Sequence, residues 1–221
     1  PTPFSADRMP ITANNPAPRS VIGTPTFTGG PPASPVTDMS PETPCATRSN
    51  PPFPAEKLWH SWMILRAFLN AGSKRALHDD PVRRVLLKPE AIWEIEQGLT
   101  LSAADVYAAS EIRSQWYRRA AKLFEQVDVI ALPSAQFWPF PVEWRWPHQV
   151  GGRPADTYHR WMEIVVPVSL AGLPCLSVPV GFGASGLPMG MQLAGATGKD
   201  AAILRLGQAW HQATRWPDRR P

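Results

Sequence analysis

The chain has 221 residues, a formal net charge of +4 and 43% hydrophobic residues. No apolar run approaches the ~18 residues that span a bilayer, so no membrane-spanning helix is expected. The positive charge is scattered among acids, and its densest clusters are the short pairs Arg83-Arg84, Arg118-Arg119 and Arg219-Arg220. A nucleic-acid footprint needs basic residues gathered on one face, so nucleic-acid binding is not expected.

Fourteen of the 27 prolines fall in the first 54 residues, and all ten tryptophans lie from Trp59 onward. Proline removes backbone donors, and nothing periodic remains in residues 1–56 to bury. They are predicted to form a disordered Pro-rich tail, with residues 57–221 as the folded unit. Pro32-Ala-Ser-Pro35 fits a P-x-x-P docking motif, but so proline-dense a segment produces one by chance. The N-terminus shows no charged region followed by an apolar one, so no secretory signal is expected. The chain does not start with Met, which raises processing, truncation or a fragment as readings. Cys45 and Cys175 form neither a disulfide framework nor a metal site, and they fit a reducing, cytoplasmic setting.

From Pro54 the pattern is helical, with Leu58, Trp62, Leu65 and Leu69 as one apolar stripe and Phe68 alongside. Asp79-Asp80-Pro81 breaks it. A short helix is predicted over Pro89–Gln97, with Gly98 just past its end. Ser102 and Asp105 cap a third helix. Its stripe is Val106, Ala109, Ile112, Trp116, Ala120 and Leu123, ending near Gln126. Asp128–Leu132 is a short apolar run without alternation, which suits a strand covered on both faces and closed by Pro133. An aromatic loop over 134–154 and a helix over Asp156–Trp161 follow. Cys175–Val180 and Gly190–Ala194 read as strands joined by a turn at Gly183–Gly186. A last amphipathic helix over Lys199–Trp210 faces the core with Ile203, Leu206 and Trp210. Helices alternating with apolar strands predict an α/β class, with a mixed sheet of few strands covered by helices.

Candidate chemistry is sparse. Gly183-Ala-Ser-Gly-Leu187 nearly reads G-x-S-x-G, but Leu187 stands where glycine is needed. Ser185 also lies between two strands rather than on a strand-to-helix elbow, so a hairpin turn is the better reading. The five histidines form no metal-ligand pattern, and neither a metal nor a cofactor is expected. His159, beside Tyr158, reads as a structural histidine rather than a catalytic one. The stretch Gln136–Pro147 holds three Trp, two Phe and three Pro. Stiff, aromatic chain of this kind suits a pocket wall for an apolar ligand, or equally a lid over the core.

Asp128-Val-Ile-Ala-Leu-Pro133, Pro167-Val-Ser-Leu-Ala-Gly-Leu-Pro-Cys-Leu-Ser-Val-Pro-Val-Gly181 and Gly186-Leu-Pro-Met-Gly-Met-Gln-Leu193 together resemble the C-terminal part of amidase-signature hydrolases. Order and spacing agree over about residues 57–221. Ser169 stands where many members have Asn, and Val165 where many have Thr. The resemblance implies a partial amidase-signature fold and, in the intact family, hydrolysis of carboxylic amide C–N bonds through an acyl-enzyme. That chemistry uses a Lys, a cis-Ser and a nucleophilic Ser in a Gly/Ser-rich N-terminal segment. No such segment occurs here, so no catalytic residue carries over and the chain is expected to be inactive alone. Trp138, Phe140 and Trp144 fall in the insertion that shapes specificity and are expected to form one pocket wall. The implied partner is a small amide substrate or a missing N-terminal amidase half, with a homo-oligomer as a further reading. A non-catalytic binding module and a truncated pseudogene product are the alternatives.

Overall fold

The computed structural model describes residues 21–23, 47–48 and 53–219. The disorder expected of the tail falls for the most part outside these residues. Within the stretch expected to be disordered, β1 (Val21–Gly23) and β2 (Thr47–Arg48) run parallel to one another, β1 runs parallel to β3 (Val129–Pro133), and Ala55 and Glu56 already belong to the first helix.

Helices make up the first half of the remainder. The long α1 (Ala55–His78) is followed by the single turn α2 (Pro81–Arg84), then α3 (Pro89–Leu99) and α4 (Ala103–Leu123). The start of α4 is a capping box. Asp105 N–H donates to Ser102 Oγ at 3.2 Å, and Ser102 N–H donates to Asp105 Oδ2 at 2.8 Å. Two orphan backbone donors are thereby satisfied. The predicted α4 stripe is the buried one, with Ala109 and Ala120 fully enclosed and Trp116 nearly so.

The stripe expected on α1 holds only in part. Leu58 is buried, but Phe68 is 49% exposed and Leu69 66% exposed. The C-terminal half of the helix instead buries Ala67 and Ala71. The reason lies on α3. Gly98 is inside that helix, not past its end, and a Cβ on it would sit 2.1 Å from the Ala67 carbonyl oxygen. So close a crossing accepts only small residues on both helices, and the larger Phe68 and Leu69 turn outward.

The sheet order is β2-β1-β3-β7-β6, with β6 at Cys175–Phe182 and β7 at Pro188–Gly195. β7 lies antiparallel between β3 and β6. Alternation along the strands divides two cores. Ile130, Leu132 and Ala194 face Val127 and Val168. Val129, Leu193 and Val178 face Ile203 of α6 (Asp200–Thr214). β3 is therefore covered on both faces, as its unbroken apolar run predicts. Pro179 is tolerated because β6 is an edge strand among the described residues and has no need of a donor there.

Two connections differ from expectation. The loop after β3 contains a minimal hairpin, β4 (Gln149–Val150) with β5 (Arg153–Pro154). The helix expected over Asp156–Trp161 is instead a 3-10 segment at Arg160–Val165, leading into the short α5 (Val166–Ala171). Pro167 has no N–H to continue a longer helix, so regular α-helix restarts at its own first turn. α5 ends on Gly172 in the left-handed region, φ 63°. Gly172 N–H donates to Ser169 O and Leu173 N–H to Val168 O, both at 3.2 Å. This is a Schellman motif. It explains the run Leu170-Ala-Gly-Leu-Pro174: glycine for the left-handed turn, Leu173 packed into the cores on either side, proline to stop the helix. Among the described residues no helix is long and apolar enough to cross a membrane.

Candidate functional site

The end of β3, the β6–β7 hairpin and the aromatic loop converge on one open cleft of about 490 Å³. Gln192 of β7 holds the strand ends in place. It is buried, and its Nε2 donates to the Pro133 carbonyl at 2.8 Å and to the Ile164 carbonyl at 3.5 Å. Its Oε1 accepts a long contact from Cys175 Sγ at 3.9 Å. Gln136 repeats the device from the loop, its Oε1 accepting from Ile164 N–H at 3.1 Å. Two glutamine side chains thus tie the 3-10 segment, and Trp161 within it, to the mouth of the sheet.

Ser134 and Ser177 form the polar part of the cleft, with Gly190 between them. Ser134 N–H donates to the Gly190 carbonyl at 3.0 Å. A Cβ on Gly190 would lie 2.6 Å from Ser134 Oγ and 3.4 Å from Ser177 Oγ, so glycine is what leaves room for both hydroxyls.

The remaining wall is aromatic. Phe140 meets Trp161 edge to face at 5.6 Å, and Trp144 stacks on Phe140 at 6.4 Å. Trp138 packs over Gly183 of the hairpin, where a Cβ would come within 2.9 Å of its ring. Of the three residues assigned to the wall from sequence, Trp138 and Phe140 line the cleft. Trp144 does not; it backs Phe140 from behind. Trp161, Ser134 and Ser177, none of them assigned to the wall from sequence, line the cleft as well. The last two stand next to Pro133 and within the Val-Pro-Val strand, so the motif boundaries were the available signal.

Among the described residues the cleft lining contains no lysine, histidine or carboxylate. A serine hydroxyl needs an adjacent base or a lowered pKa to attack an amide. The cleft can hold an apolar or aromatic group and offer two hydroxyls to it, but none of its described lining residues activates them. Ser185 lies in the exposed turn closed by Gly186 N–H donating to Gly183 O at 2.9 Å. His159 is fully buried away from the cleft. Arg66 Nε donates to its Nε2 at 3.2 Å, Glu94 Oε1 lies 3.4 Å from the same nitrogen, and its ring sits 3.7 Å from that of Tyr158.

Comparison with known proteins follows the same residues. The Amidase family model matches residues 61–204, more than half of the chain. A glutamyl-tRNA(Gln) amidotransferase subunit from Cyanothece sp. (strain PCC 7425 / ATCC 29141) is 35% identical over 140 residues. That match takes in 60% of this chain and 27% of that protein, so the chain spans only a fraction of the relative. A bacterial aryl acylamidase of the amidase-signature family superposes with a TM-score of 0.72 at 18% identity, over 91% of this chain and 45% of that one. A crystal structure of an amidase matches with a TM-score of 0.62 at 25% identity, over 72% of this chain and 36% of that one. The mixed α/β fold and the motif block thus have one source: the chain belongs to the amidase-signature family.

Proposed function

We propose that the chain is the C-terminal portion of an amide C–N hydrolase and supplies one wall of its substrate pocket. Alone it is inactive, because the Lys, cis-Ser and nucleophilic Ser of the family have no counterparts here. The observation that carries this is the cleft itself: aromatic on one side, hydroxyl-lined on the other, without a base among the described residues. In the intact reaction a serine oxygen bonds to the acyl carbon, the C–N bond breaks, and water later releases the acid. Trp138, Phe140 and Trp161 would bear on the acyl or aryl group, with Trp144 supporting Phe140. A partner bearing the catalytic segment completes the site. The relatives' role as one subunit of an amidotransferase, and the edge position of β6 among the described residues, support such a partner. The free thiol of Cys175 fits a cytoplasmic setting.

The test is incubation of the purified chain with a panel of aryl and alkyl amides. No turnover is expected. Robust turnover that disappears on changing one serine would overturn the assignment.

A further inference from the structure

A second pocket, of about 290 Å³, lies between the first turn of α3 and the chain around Arg145, Trp146 and Tyr158. Trp93, Trp146 and Tyr158 give it three aromatic faces, and Glu90 and Asp156 give it carboxylates. The Trp146 and Tyr158 rings stand 6.2 Å apart, tilted 59° to one another. The Glu90 side chain is only 14% exposed and is ion-paired to Arg145, whose own side chain is 58% exposed. The Arg145 guanidinium lies 5.5 Å from the centre of the Trp146 ring. Thr157 also lines the pocket, and its Oγ1 is buried with no hydrogen-bond partner among the described residues.

The charge pattern selects the ligand. Aromatic faces carry the negative end of the ring quadrupole, and a cation over them is attracted. An anion would meet these faces together with Glu90, whereas Asp156 is already ion-paired to Arg160. Burial pushes the Tyr158 phenol up, with the charges of Glu94 and Glu90 adding to this and the Arg66 guanidinium opposing it. The single cationic lining residue among the described residues is Arg145, held by one carboxylate and one ring on a largely exposed stem.

We propose that this pocket binds a small alkylguanidinium compound, and that Arg145 is an internal occupant which the ligand displaces. The ligand's planar head would lie among Trp93, Trp146 and Tyr158. Two of its N–H groups would donate to Glu90. A guanidinium supplies these donors in one plane, which a quaternary ammonium cannot.

Agmatine is the probe, titrated into the full chain at constant ionic strength by calorimetry. The wild-type chain should bind it weakly. Arg145→Ala should bind about 10-fold more tightly, because the competing side chain is gone. Glu90→Gln and Trp93→Ala should each lose at least about 10-fold. Circular dichroism and a melt identify folded variants, and Glu90→Gln decides the matter if Trp93→Ala does not fold. The proposal fails if Arg145→Ala shows no saturable binding up to about 10 mM. It also fails if tetramethylammonium or benzoate binds that variant as well as agmatine does, or if Glu90→Gln binds undiminished. None of these outcomes depends on amide hydrolysis, so the amidase reading stands or falls separately.

Discussion

Gly98 of α3 faces Ala67 of α1 so closely that a Cβ would stand 2.1 Å from the Ala67 carbonyl oxygen and 2.6 Å from Ala71 Cβ. The obstacle is backbone, which cannot swing aside as a side chain can. Gly98→Ala should therefore destabilise the fold by about 1–3 kcal/mol, despite the better helix propensity of alanine. In a chain of this size that lowers Tm by ~2–4 °C per kcal/mol, measurable by calorimetry. An unchanged or raised Tm would mean that the two helices separate freely.

Gln192 is the second sensitive point. Gln192→Leu keeps similar bulk but leaves the Pro133 carbonyl without its donor at 2.8 Å. A loss of about 1–3 kcal/mol is expected for an unsatisfied buried acceptor. Gln192→Glu should cost more, since a carboxylate would then face that carbonyl. Urea midpoints of the two variants rank them directly.

Stability should fall in acid through Glu94. Burial pushes its carboxyl up, but His159 and the Arg66 guanidinium beside it outweigh this and hold it below the ordinary 4.5. A carboxyl depressed in the folded state contributes stability that is complete above its unfolded pKa and lost as pH falls through the folded one. The loss should therefore appear below about pH 4.5 and be absent at neutral pH. Urea midpoints measured from pH 6 downward should decline more steeply for the wild type than for Glu94→Gln. Parallel curves would remove Glu94 from the acid response.

The helix cap gives a milder prediction. Ser102→Ala removes the acceptor for Asp105 N–H and should cost about 0.5–2 kcal/mol. Ser102→Gly should cost only a few tenths of a kcal/mol relative to the wild type. Thermal melts of the two variants distinguish a cap effect from loss of packing.

Trp138→Ala tests the cleft. Trp138 is 41% exposed, so stability should change little. Binding of an aryl amide to the cleft should weaken by about 10-fold, as the ring offers large contact area at low entropy cost. Trp144→Ala should have a smaller effect, because it reaches the cleft only through Phe140. A larger effect at Trp144 than at Trp138 would place the ligand elsewhere.

Local patterns determined much of this protein. The Ser102–Asp105 spacing specifies a capping box, because its partners are three residues apart on one turn. The unbroken run at β3 specifies a strand buried on both faces. The family motifs were legible for the same reason: each is a short stretch whose turn chemistry demands particular residues. What only the tertiary structure decided involves residues far apart in sequence. The face that α1 buries depended on Gly98 of another helix, and no helical period could choose Ala67 over Phe68. Trp161 joined the cleft because Gln192 and Gln136 anchor its segment from 31 and 25 positions away. Trp144 was set behind Phe140 rather than beside it by the path of a loop with no period to read. Periodicity reports which residues share a face of one element, whereas the partner of that face is chosen by shape and hydrogen bonding across the whole fold.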